Sequence, residues 1–163
     1  MRIINAAFFI LLFITLHDVS AQSDNPEKAS VLATAQKLFD CMAAQDTTLA
    51  RTILLKEGQF YAIRNKSDGL VLRAVTYGQF IKGLVNKERR ILERMWDPTV
   101  LIHDQVAVVW APYDLHINNK FSHCGVDAFT LLKTNEGWKI SHIAYTVEPE
   151  GCKESPLGPV NGK

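Results

Sequence analysis

The chain is 163 residues long, 47% hydrophobic and 21% charged, with a formal net charge of +1. That length suits one domain behind a leader, and so small a net charge excludes attraction to nucleic acid by field alone. Three cysteines leave one thiol over if the other two pair.

The N-terminus opens with Met1 and Arg2, continues through an almost wholly apolar stretch over 3–16, and reaches the small-residue pattern Val19-Ser20-Ala21. This is the layout of a secretory signal peptide over 1–21. The apolar stretch is shorter than the roughly 20 residues of a membrane-spanning helix. The expectation is therefore a cleaved leader, a secreted or periplasmic product and no stable membrane insertion. One domain is expected over 22–150, followed by a mobile tail over 151–163 that is rich in Gly, Pro and Lys.

Asn25-Pro26-Glu27 is a helix start, and Val31, Leu32, Ala35, Leu38, Phe39 and Met42 repeat at helical spacing to about residue 44. Asp46 caps a second helix to residue 55. A strand pair over 58–64 and 70–75 flanks the turn residues Asn65 to Gly69. Thr76 and Gln79 have capping-box spacing, which predicts a third helix over 77–86. A strand over 90–103 follows, broken at Asp97-Pro98, where proline removes a ladder donor. The run Lys87, Arg89, Arg90 and Arg94, interrupted by Glu88 and Glu93, reads as a solvated helix end and strand edge rather than an anion site.

Residues 105–147 hold three consecutive strands. Asn118-Asn119 has the chemistry of a two-residue hairpin loop, and Asn135-Glu136-Gly137 supplies a turn closed by a glycine able to take positive φ. Counting back from an Ile117–Lys120 pair sets Asp114 opposite His123, Tyr113 opposite Cys124 and Trp110 opposite Asp127, so acid, imidazole and indole share one face. If the second turn ends in a bulge, Tyr145 lies opposite Asp127; a four-residue turn puts His142 on that face instead. The second hairpin also brings Cys124 close enough to the chain after Glu148 for a disulfide with Cys152. Cys41 lies within a helix and reads as a buried free thiol.

Asp114 and His123 could form a pair in which the carboxylate orients an imidazole base, or a plain cross-strand ion pair. Asp127 sits in an otherwise apolar strand, where burial would make it a base or a neutral donor; the alternative is an acid satisfied by Trp110 or Tyr145. Trp110, Trp96, Tyr61, Tyr77 and Phe60 could line a cavity for a flat apolar molecule or simply fill a core. His103 and His116 read as surface residues at hairpin ends. The chain has no His-x-His, no His-Glu-x-x-His, no paired-Cys spacing, no nucleophile elbow and no Gly-rich phosphate loop, so neither metal nor cofactor is expected.

The element order, with the motif WAPYDLHINNKFSHCGVDAFTLLKTNEGWKISHIAYTVE, resembles the NTF2-like superfamily. Within it the motif looks like the small exported bacterial branch labelled lumazine-binding. The resemblance implies an α+β, cystatin-like cone: a curved mixed or antiparallel sheet with about three helices on its concave face, a deep pocket and a homodimer through the open sheet face. Superfamily enzymes of the SnoaL and ketosteroid isomerase type combine Asp, Tyr and His without cofactors, and Asp114, His123, Asp127 and Tyr145 match those residue types without matching any one enzyme's arrangement. The leading expectation is an exported protein that binds a small apolar or aromatic ligand, with Trp110, Tyr113, Tyr61, Phe129 and His142 beside that set. The alternatives are a cofactor-independent lyase or isomerase, with His123 as base, and a dimeric scaffold with a filled interior.

Overall fold

The computed structural model describes residues 26–160. The leader expected over 1–21 lies outside the described residues. Among the described residues no helix is long and apolar enough to cross a membrane.

Helix α1 (Pro26–Ala44) places Pro26 in its first turn and buries Val31, Ala35, Leu38, Phe39 and Met42, the face its spacing predicts. Asp46 Oδ1 caps α2 (Thr47–Ile53) by accepting from the amides of Thr48 (2.8 Å) and Leu49 (2.9 Å). Strand β1 (Leu54–Lys66) begins at once, because Leu54 is already extended and pairs with Ile140. The strand thus starts four residues before its expected position, at the helix's expense.

Strand β2 (Gly69–Thr76) completes the first hairpin, and the Thr76–Gln79 capping box opens α3 (Tyr77–Leu84). Strands β3 (Ile91–Met95) and β4 (Thr99–His103) flank a break at Asp97, whose φ is 43°, and both pair with β5 (Val106–Ile117). Strand β6 (Lys120–Thr134) and β7 (Gly137–Thr146) finish the sheet. Its order is β2-β1-β7-β6-β5-β3, with β4 beside β5. Every pairing is antiparallel except β1 with β7, which makes the seven-stranded sheet mixed.

Two bulges decide which side chains face inward. Asn118 and Asn119 take φ of 52° and 63° and pair Ile117 with Lys120, as a mirror-image two-residue turn does. Ser122 then has no cross-strand partner, and the register moves by one, so Leu115 faces His123 and Asp114 faces Cys124. In the next hairpin Thr134 pairs with Gly137, whose φ is 101°, and Ser141 is the extra residue. From His142 onward the register again moves by one, which brings Tyr145 opposite Asp127.

The helices cover the concave face of the sheet, with Phe39 edge-on to Phe129 and Phe60 edge-on to Tyr77. A Cβ on Gly58 would collide with the Tyr77 ring and the Ser141 carbonyl, so only glycine lets β1 pass that close. Cys124 and Cys152 form a disulfide with Cα atoms 5.9 Å apart, and Cys41 is a buried free thiol. Beyond the disulfide the tail returns to the sheet, where the Gly158 carbonyl accepts from Arg94 Nη1 at 3.0 Å.

Candidate functional site

A cavity of about 760 Å³ opens between the inner face of the sheet and helices α1 and α3. Its inner wall is apolar, built by Leu38, Phe39, Phe60, Phe80, Leu115 and Ile143. Its deep polar groups include Glu93 from β3, His123 and Asp127 from β6 and Tyr145 from β7.

Glu93 and Asp127 are hydrogen-bonded through their side chains. Burial raises Asp127 to about 8, and burial followed by the charge of Asp127 holds Glu93 well above the carboxylate range. The shared bond favours the ionised form of Asp127 and the protonated form of Glu93. Burial therefore holds both acids toward the protonated form, and they titrate as one coupled pair. Asp127 lines the cavity but is only 3% exposed, and its Oδ2 is fully enclosed.

Two phenols stand beside the acids. Burial, then the Glu93 and Asp127 charges, raises both Tyr113 and Tyr145, so each keeps its proton. Tyr113 donates to the Thr146 carbonyl at 2.7 Å and packs edge-on against His123 and Tyr145 from behind the cavity wall. Burial first, then Arg64 and Arg89, lowers His123, so the ring is neutral at pH 7. Its Nδ1 lies 3.0 Å from Ser122 Oγ. The deep end of the chamber offers donors and acceptors held toward their uncharged forms against an apolar wall.

The expected residues divide between the two sides of the sheet. His123, Asp127 and Tyr145 line the cavity, whereas Asp114 does not. The Ser122 bulge turns Asp114 away from His123 to the outer face, where it holds Arg94 through Nε at 2.9 Å and Nη2 at 2.5 Å, with His116 Nδ1 at 3.8 Å. Trp110 is 55% exposed and faces Ala128 rather than Asp127, by the same one-residue shift. Tyr61 is also exposed, on the outer side of its hairpin, because alternation gives the inner side to Phe60 and Ala62. His142 pairs with Thr130 and meets its hydroxyl at 3.2 Å outside the cavity, and Phe129 is packed into the core. His103 is exposed as expected, but His116 is buried beside Asp114.

Glu93 is the acid of the cavity that sequence reading missed. A usable signal was present: Ile91, Glu93 and Met95 share one side of a short strand, so an acid occupies a position where alternation calls for a hydrophobe. Arg64, Arg73 and Arg89 also line the cavity. They come from β1, β2 and the loop after α3, and their distance apart in sequence hides the grouping. The basic run around Arg89 disperses instead, with Arg94 going to Asp114.

No protein-family model matches the chain, and neither does any curated protein. Solved structures do. An NTF2-like protein from Cytophaga hutchinsonii is 13% identical, with a TM-score of 0.62, over 74% of this chain and 97% of that one. An NTF2-like superfamily protein from Salmonella enterica serovar Typhimurium is 14% identical, with a TM-score of 0.59, over 78% of this chain and 94% of that one. An NTF2-like protein with a cystatin-like fold from Novosphingobium aromaticivorans is 8% identical, with a TM-score of 0.60, over 78% and 84%. At these identities the likeness is one of architecture, and by it the chain has the NTF2-like, cystatin-like fold.

Proposed function

We propose that the protein is an exported pocket protein that binds a small apolar or aromatic ligand. One observation carries the reading: an apolar-walled cavity of about 760 Å³ whose deep polar groups include a carboxyl pair, Glu93 and Asp127, held toward the neutral form. The chamber has room for a ligand of two to four fused rings or a comparable chain, and lumazine is one flat candidate to test. The Cys124–Cys152 disulfide supports an oxidising compartment, in keeping with the leader pattern at the N-terminus. A scaffold acting only through its outer surface would be expected to fill its interior, and the cavity argues against it.

The raised Asp127 beside Tyr145 favours one second reading, a cofactor-independent isomerase or lyase in which Asp127 removes a proton next to a carbonyl and Tyr145 donates to the oxygen. In that reading His123 loses the orienting carboxylate it was expected to have.

The test is native mass spectrometry of the protein purified from its own host. A retained small-molecule mass is the expected result and identifies the ligand class. An empty protein that also shows no thermal shift with apolar aromatic compounds would overturn the binding reading.

A further inference from the structure

The cavity has a charge asymmetry that the apolar-ligand reading leaves unused. Alternation along the first hairpin puts Phe60, Ala62, Arg64 and Lys66 of β1 on the inner side, with Val75, Arg73 and Val71 of β2 as cross-strand partners of the first three. The wall therefore grades from apolar near α3 to cationic toward the hairpin tip. Arg89 reaches the same space from the loop between α3 and β3. The convergence shows in the groups it acts on: Arg64 and Arg89 both disfavour the charged form of His123, and Arg73 and Arg89 both favour ionisation of Tyr145.

Among the described residues no carboxylate lies within ion-pair distance of Arg64, Lys66, Arg73 or Arg89, although Arg94, Lys133 and Lys139 each have one. The acids lining the cavity are Glu93 and Asp127, and both are held toward the neutral form. Four positive side chains thus edge one opening in a chain whose net charge is only +1. Focused in a cleft with apolar walls, such a group attracts anions, and guanidinium forks match carboxylate oxygens.

We propose that the cavity takes an amphipathic organic carboxylate, its anionic end held at the mouth by Arg64, Arg73 and Arg89 and its apolar body lying along Phe60 and Ile143. A polar atom at the far end would meet the Asp127 carboxyl, which lines the cavity. The spacing sets the size: the four-residue step from Phe60 to Arg64 spans about 13 Å of extended strand, which is the length of a three-ring body plus its carboxylate. This rests on the pocket reading above and adds the charge of the ligand to it.

The experiment uses one shape in two charge states. Anthracene-2-carboxylate and anthracene-2-carboxamide are titrated into the purified protein at pH 7, with fluorescence and calorimetry as readouts, at 20 and 500 mM salt. The carboxylate is expected to bind at least tenfold more tightly, equivalent to about 1.4 kcal/mol. It should weaken with salt while the amide does not. In a variant carrying Arg64→Gln, Arg73→Gln and Arg89→Gln the two should bind alike. These side chains are exposed, so the variant should keep the wild-type melting temperature, and the amide reports whether its cavity is intact. Equal binding of acid and amide by the wild-type protein, or a preference that survives the triple substitution, would overturn the carboxylate assignment and leave the pocket reading standing. Failure of both compounds to bind would remove the pocket reading and the assignment with it.

Discussion

Asp127 is where burial, hydrogen bonding and charge meet most directly. Its pKa rises from an ordinary carboxylate value to about 8, so between about pH 4 and pH 8 the folded protein keeps a proton that the unfolded chain releases. The sign follows: this group's contribution to stability is complete below about pH 4 and is lost progressively as the pH rises toward 8. Asp127→Asn keeps the size and an acceptor for Glu93 but cannot ionise. Its stability, measured by denaturant unfolding at pH 5, 6, 7 and 8, should decline less steeply with rising pH than that of the wild type. Parallel curves would show that Asp127 is not protonated in the fold. The same variant bears on the two functional readings: ligand affinity should fall in either, because Asp127 lines the cavity, and an isomerase also loses turnover.

At the scale of elements, the helices and turns were legible because each is signalled within a few residues. Asp46, the Thr76–Gln79 box and Asn118-Asn119 act on their immediate neighbours and behave as expected. The bulges at Ser122 and Ser141 were not legible as such, since nothing in a serine announces an unpaired strand residue. Each moves the register by one, and a one-residue slip exchanges the two faces of a strand. The first slip separates Asp114 from His123. The second delivers the Tyr145–Asp127 pairing that the sequence reading attached to the turn itself. Glu93 was hidden differently, because its partner Asp127 is two strands away across the sheet. The Cys124–Cys152 link was legible because the hairpin count brings the two chain segments together at either register, and Cys124 exchanges backbone hydrogen bonds with Glu148. It closes a 28-residue separation, worth on the order of 3–4 kcal/mol through the unfolded state. Cys152→Ser should lower unfolding free energy by that amount and abolish the effect of reductant on the melting temperature. A reductant effect that persists in the variant would count against the link.

For the molecule as a whole, the two faces of one sheet have opposite fates. The concave face is covered by helices and holds the cavity, while the outer face leaves Trp110 55% exposed beside Ala128, in the same cross-strand row as Ala144. An exposed indole with alanines along one side of its row on an open sheet is a surface that a second copy can cover, and large aromatic residues dominate such contacts. We therefore expect a homodimer through this face, with Trp110 near its centre. Trp110→Glu places a charge there without touching the cavity or the helical core. Sedimentation velocity at micromolar concentration should show a dimer for the wild-type protein and a monomer for the variant, with cavity ligands bound equally well by both. A wild-type monomer, or a dimer unaffected by the substitution, would remove this face from consideration. If instead the variant monomer loses ligand as well, the cavity depends on the dimer, and the pocket on one chain is not the whole binding unit.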